Sequence, residues 1–350
     1  MLLFRQALIF RLLSSFLFSL IFLIFCVPLN IKHPRVFEIA SGWSIGSIAN
    51  AMSHEGLWQH SRIVKGTFWL ASFLGPIQSG EFQLTPGITL GGLAYQCIEG
   101  KRLQHHVTLV PGTTLQQMGV VLANTAALKH STLASTEKMI AKASFAEKED
   151  ANQSLEGQIY PDTYAFVKGD TDISILKRAH TQWQKRSAEL WERYGKESPY
   201  QSMYEAAVAA SLIEKEASLV DEQRLISGVI ANRLRLHMPL QIDASVIYGL
   251  GDQYHGILTH EMMRIESPYN TYMHRALPPT PIASFSEDAF LAALQPIKHD
   301  YLFYVLGNNH RHFFSKDFKS HKANIKVIAS IVDKTAYPMD GATHIQKEKQ

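Results

Sequence analysis

Ala209-Ala210-Ser211-Leu212-Ile213-Glu214-Lys215-Glu216-Ala217 is a helix-forming, mostly apolar run with a carboxylate inside it. The pattern extends over residues 202–217. At ~100° per residue, Met203, Ala206, Ala207, Ala210, Ile213 and Ala217 share one broad arc of the helix. Glu214 falls inside that arc, between Met203 and Ala207. Glu205 and Glu216 fall together on its other edge and read as surface charges, and Lys215 points nearly opposite. The pattern predicts a helix packed into a mixed α+β core, with Glu214 as the carboxylate it buries.

A carboxyl group in apolar surroundings holds its proton closer to neutral pH, because desolvation penalises the ionised form. Such a group suits general acid catalysis. The same pattern also fits a structural carboxylate paired with an arginine, such as Arg224 or Arg233.

The 350 residues are enough for two domains, and 46% hydrophobic with 19% charged content reads as globular. A net charge of +3, with basic residues scattered, gives no footprint for nucleic acid. The 16 histidines raise the question of metal. There is no His-Glu-x-x-His; His255 and His260-Glu261 lack the spacing, and Cys26 and Cys97 cannot build a cysteine-based zinc site. No metal and no cofactor are expected. Cys26 lies in an apolar run, so no disulfide with Cys97 is expected either.

That run, residues 12–31, holds 20 residues without a charge, enough to cross a hydrocarbon core as a helix. Arg5 and Arg11 precede it while Lys32 and Arg35 follow, so flanking charge does not fix orientation. Phe25-Cys26-Val27-Pro28 offers no small-x-small cleavage site, and an uncleaved anchor is expected.

A short pattern then occurs three times: Gly42-Trp43-Ser44-Ile45, Gly87-Ile88-Thr89-Leu90 and Gly112-Thr113-Thr114-Leu115. Each reads as a strand ending at a glycine turn, followed by a helix capped by Ser or Thr. The strands would be 35–40, 81–84 and 106–110. The first copy, continuing to Glu55-Gly56-Leu57, resembles LysM-like modules that bind glycan strands. A polar stretch at 128–153 marks a boundary near Ser154. Beyond it, apolar periodicity predicts helices ending near Tyr194, over 202–217, and over 221–236 with Asp221 as N-cap. A last strand is expected at 301–306 and a polar tail after Tyr337. The expected organisation is a stub and anchor over 1–31, a LysM-like α+β region over 32–153, a catalytic α+β domain over 154–337, and a tail over 338–350.

Three loops are dense in aromatics, acids and amides. Glu156-Gly157-Gln158-Ile159-Tyr160-Pro161-Asp162-Thr163-Tyr164 is the first. Leu240-Gln241-Ile242-Asp243-Ala244-Ser245-Val246-Ile247-Tyr248-Gly249 and Ser267-Pro268-Tyr269-Asn270-Thr271-Tyr272 are the others. Aromatic faces stack on pyranose rings, while amides and carboxylates bond hydroxyls. Singly, each loop also reads as a solvated turn.

With Ser211-Leu212-Ile213-Glu214-Lys215-Glu216, Asn232-Arg233-Leu234, Pro281-Ile282-Ala283-Ser284, Tyr301-Leu302-Phe303-Tyr304-Val305 and His312-Phe313-Phe314-Ser315, these motifs resemble the endolytic murein transglycosylases (YceG-like) over nearly the whole chain. The resemblance implies Glu214 as catalytic acid/base. It implies glycan-cleft roles for Glu156, Tyr160, Asp162, Gln241, Asp243, Tyr269, Asn270 and Tyr272. It further implies peptidoglycan glycan strands as substrate and an inner-membrane location with the catalytic part periplasmic; membrane tethering would suit action beside peptidoglycan synthases. The chain departs from the family pattern at Val110-Pro111-Gly112, Ile242, Ala244, Thr280 and Ser320, most of which bear on the cleft rim. The implied reaction is non-hydrolytic cleavage leaving a 1,6-anhydro end. Two alternatives stay open: a hydrolase using Asp243 or Glu156 as a second carboxylate, and a non-catalytic wall-binding scaffold.

Overall fold

A computed structural model describes residues 14, 15, 18, 19, 22, 27–130, 155–307 and 311–332. The fold is mixed α+β: helices with three two-stranded sheets among the described residues. The chain forms two compact units that do not separate at a single point. One comprises Met1–His106, Ala126–Lys129 and Ala165–Thr171; the other comprises Val107–Thr125, His130–Tyr164 and Asp172–Gln350. The expected boundary near Ser154 and the tail after Tyr337 lie outside the described residues.

In the first unit, β1 (Arg35–Ile39) carries α1 (Ile45–His54) and α2 (Ser61–Ala71) after it, then β2 (Gly80–Leu84) and α3 (Leu90–Glu99). β1 and β2 pair antiparallel with Phe37 opposite Phe82. Both rings are fully buried, because strand alternation sends Phe37 and Ile39 to one face and Val36 and Glu38 to the other. Phe68, Met52 and Leu93 complete the core, and Cys97 is buried in it as a free thiol. The end of the apolar run belongs to this core too. Leu29 is buried and donates its N–H to Ile88 O at 2.8 Å, while Val27 and Ile31 pack alongside. The expected anchor over 12–31 is therefore too long at its C-terminal end. Most of what precedes Val27 lies outside the described residues, although Ser14, Ser15, Phe18, Ser19 and Phe22 have helical backbone. Among the described residues, no helix is long and apolar enough to cross a membrane.

The repeated sequence pattern corresponds to a repeated backbone device. Gly42, Gly87 and Gly112 adopt φ of 82°, 92° and 76°, a region that favours glycine. Two residues on, Ser44, Thr89 and Thr114 accept backbone N–H bonds at 3.1, 3.1 and 3.2 Å, each capping a helix. The third copy follows β3 (Gln104–Thr108) and opens α4 (Leu115–Ala123) in the second unit.

β4 (Thr163–Val167) pairs with β3, and the second unit continues through α5 (Asp172–Tyr194), α6 (Met203–Glu216), α7 (Val220–Arg235), α8 (Asp243–Leu250) and α9 (Glu287–Leu294). It closes with the antiparallel pair β5 (Phe303–Leu306) and β6 (His312–Ser315), then α10 (Phe318–Val332). Asp221 does not cap α7: Leu219 holds the N-cap position, and Asp221 pairs with Arg311 at 2.8 Å.

α6 is the hub of this unit. The expected one-sided arc is not what forms, since every residue from Ala206 to Ile213 is buried. Alanines let neighbours approach from all sides, and Ala289, Ala292 and Ala293 of α9 pack in the same core. A helix apolar all round is a core helix. Glu214, Lys215 and Glu216 occupy its last turn, where it leaves that core.

Candidate active site

Glu214 is half-buried at the end of α6. Its Oε2 accepts two bonds from one residue: the Ser286 N–H at 3.0 Å and the Ser286 hydroxyl at 2.6 Å. Ser286 is the N-cap of α9, and its Oγ also accepts the Ala289 N–H at 3.2 Å. That acceptance turns the hydroxyl hydrogen toward Glu214. No donor among the described residues reaches Oε1, so a proton carried by this carboxyl belongs on that oxygen. The arginine pairing that the sequence left open does not occur. Arg224 bonds Gln295 O at 3.1 Å, and Arg233 is directed to other oxygens.

The third glycine turn lies against this residue. Gly112 O accepts Lys215 Nζ at 3.0 Å, and Gly112 N–H bonds Ser284 O at 2.9 Å. A Cβ on Gly112 would lie 3.9 Å from Glu214 Cγ. The carboxylate thus sits between a tight turn and the Pro281–Ser286 segment. That segment is fixed to α6 by a bond from Ile282 N–H to Ser211 Oγ at 3.0 Å.

All but one of the remaining expected residues fall into three groups. Glu156 is 5% exposed and both of its oxygens are engaged. Leu115 N–H donates at 2.9 Å and the Tyr248 hydroxyl at 3.2 Å. Burial pushes this carboxyl up to about 7, against the pull of those donors. The Tyr248 ring meets Tyr269 edge-on at 4.9 Å, and the Tyr269 hydroxyl bonds Thr280 at 3.0 Å. Thr280 is one of the departures from the family pattern, and its hydroxyl here meets that of Tyr269.

The second group surrounds Arg233. Its guanidinium donates to Leu302 O at 2.6 Å, Leu240 O at 2.8 Å, Pro239 O at 3.1 Å and Gln241 Oε1 at 3.2 Å. Gln241 takes φ of 54°, so this buried arginine fixes a strained turn. Asp243 accepts a short bond from the Tyr272 hydroxyl. Burial, then the Asp243 charge, hold that phenol above its ordinary range. Glu216 accepts the Tyr304 hydroxyl at 2.9 Å, and burial pushes its carboxyl up to about 7. Glu216 is therefore not the plain surface charge that the helical wheel predicts.

Tyr160 and Asp162 form the third group. The Tyr160 hydroxyl donates to Glu287 at 3.0 Å, and Asp162 accepts from Gln182 at 3.2 Å. Both line an open groove of about 670 Å³ along α5, which Glu214 does not line. Asn270 joins no group: it is 1% exposed, and its amide bonds Met263 O, Ile265 O and Tyr272 N–H. It shapes the 267–272 loop from within. Among the described residues, no three His, Cys, Asp or Glu are grouped to hold a metal.

Ser286, Glu216 and Arg233 are the members that sequence reasoning did not place in the site. The Ser-Glu-Asp before an apolar run is an N-cap signal for α9, but nothing local shows that the cap reaches a residue 72 positions away.

A family model described as YceG-like matches residues 37–327. The chain belongs to the YceG-like family. It is 28% identical over 315 residues to a Bacillus subtilis (strain 168) protein named endolytic murein transglycosylase, covering 84% of each chain. It is also 29% identical over 180 residues to a protein of the same name from Streptococcus pneumoniae serotype 2, covering 50% of this chain and 32% of the relative. The 2.6 Å crystal structure of a yceG-like protein from Listeria monocytogenes aligns with TM-score 0.54 and 25% identity, over 84% of this chain and all of the other. The family resemblance read from the motifs is thus confirmed, and the YceG-like match spans both compact units.

Proposed function

We propose that this YceG-like chain is an endolytic peptidoglycan lytic transglycosylase. It cleaves the β-1,4 bond between N-acetylmuramic acid and N-acetylglucosamine, with Glu214 as lone acid/base. The observation that carries this reading is the contrast between Glu214 and Glu156. Glu214 is half-buried with one oxygen anchored by Ser286 and the other open to a reacting group. Both oxygens of Glu156 are engaged by donors, whereas Tyr272 holds only one oxygen of Asp243. A two-carboxylate hydrolase needs a second group free to act on water or on the anomeric carbon.

Glu214 first gives the proton on Oε1 to the departing glycosidic oxygen. The same oxygen then takes the proton of the muramic acid 6-hydroxyl as that hydroxyl closes on its own anomeric carbon. The nucleophile is already part of the substrate, so the step gains from proximity and needs no placed water. Tyr269, Tyr248 and Gln241 flank the strand. Anchoring by the apolar residues before Val27 fits this role: Phe18 and Phe22 are one helical turn apart and 71% and 55% exposed. The catalytic part then lies outside the inner membrane, beside the enzymes that extend the wall.

Mass spectrometry of sacculi digested by the unaltered protein tests the reaction type. The expected products carry 1,6-anhydro ends; ends one water heavier would make the protein a hydrolase, and uncut strands a binding protein.

A further inference from the structure

With the muramic acid lactyl groups amide-linked to peptides, the sugars of the proposed substrate are neutral, yet an open groove of the second unit is cationic. Along α5, Lys177, Arg178 and Lys185 line it with Arg186, against the single acid Asp162. Residues 177, 181 and 185 are spaced by four, as are 178, 182 and 186, so they present one continuous stripe. Asp162 is engaged by Gln182 at 3.2 Å, and Arg186 by Glu287 at 2.9 Å. The charges of Arg178 and Lys185 face solvent with no carboxylate partner among the described residues.

The groove shares two lining residues with a hollow beside the serine that anchors the candidate acid. Tyr160 and Arg186 line it and also line a small hollow with Ser286 and Glu287. Tyr160 and Arg186 both donate to Glu287, the chain neighbour of the serine that holds Glu214. A strand lying over Glu214 therefore has a positively charged channel beside it. The anions that such a strand carries are the carboxylates of the peptides on its muramic acid lactyl groups.

Resting on the proposed function, we infer that the α5 groove is a subsite for these peptide carboxylates, so that the enzyme distinguishes peptide-bearing from bare glycan. The double variant Arg178→Glu/Lys185→Glu changes two exposed helix positions and leaves Glu214, Ser286 and Tyr160 in place. On peptide-bearing strands its kcat/KM for anhydro-end formation falls by roughly tenfold or more, mainly through KM. On strands stripped of peptide by an amidase, which keep only the single lactyl carboxylate of each muramic acid, the loss is no more than about twofold. Equal losses on both substrates, or no loss on either, overturn the inference. Titration of the isolated stem tetrapeptide, followed by NMR, separates this inference from the reaction assignment. Shifts at α5 that vanish in the double variant support the subsite even if no anhydro ends form. Absence of shifts in the unaltered protein removes it even if catalysis is as proposed.

Discussion

Ser286 donates both its backbone N–H and its hydroxyl to the same oxygen of Glu214, at 3.0 and 2.6 Å. One residue thus fixes which carboxyl oxygen is anchored and which is free. Because that hydroxyl also accepts the Ala289 N–H, its direction is set by the start of α9. Ser286→Ala is expected to lower kcat by roughly tenfold, the loss of one hydrogen bond to a charged group. Ser286→Thr restores most of it. Ser286→Asp keeps the helix cap, but has no hydroxyl to donate and sets a like charge beside Glu214. Activity lost in Asp but kept in Thr, at similar stability, separates positioning from mere capping. Full activity in Ser286→Ala removes the positioning role.

Glu216 and Glu156 make stability depend on pH in a stated direction. Burial raises both carboxyls from 4.5 to about 7 in the folded protein. A raised folded value means that the protonated form is the one folding favours. Its contribution is fully present below about pH 4.5 and is lost as pH rises through about 7, at most roughly 3 kcal/mol for each group. Denaturant unfolding of the unaltered protein and Glu216→Gln at pH 5 and pH 8 isolates one of them. The variant is expected to lose less stability between the two pH values. Identical pH slopes would show that Glu216 titrates in the folded protein as it does in the unfolded chain.

Arg233 makes its own prediction. It is 6% exposed and bonds three backbone carbonyls and the Gln241 side chain. Arg233→Leu leaves those oxygens without donors and is expected to cost about 3 kcal/mol or more in unfolding free energy. Arg233→Lys does not rescue it, because an ammonium lacks the planar fork that reaches separate carbonyls. A change below 1 kcal/mol, within the ordinary scatter of surface substitutions, would mean that water serves those carbonyls as well.

Much of the first unit was legible because its signals are local. A glycine turn, a Ser or Thr cap and a short helix are all written within seven residues; both copies there form, as does the third in the second unit. The helix carrying Glu214 was legible in extent, from its cap at Ser202 to its last turn. Its surroundings were not. A wheel assumes one dry side and one wet side, whereas the alanines of α6 let helices close around it. That is why Glu216, placed on the wet edge, is met by Tyr304 from a strand 88 residues away. The family resemblance implies a glycan-cleft role for Asn270, whereas its amide bonds the carbonyls of Met263 and Ile265. The apolar run was read to its last uncharged residue, while Leu29 is claimed by the folded core through a bond to Ile88. In each case the deciding partner is distant in sequence, and no local pattern records it.

Glu214→Gln tests the central assignment most directly. The amide is nearly isosteric, and its carbonyl oxygen still accepts both Ser286 donors, so the fold and the thermal midpoint are expected to stay. It cannot release or take the proton on which both steps rest. Mass spectrometry of sacculi incubated with this variant is expected to find no 1,6-anhydro ends above background, with sacculus binding retained. Anhydro ends formed at the unaltered rate by a folded Glu214→Gln protein would contradict the assignment and move the acid to another residue.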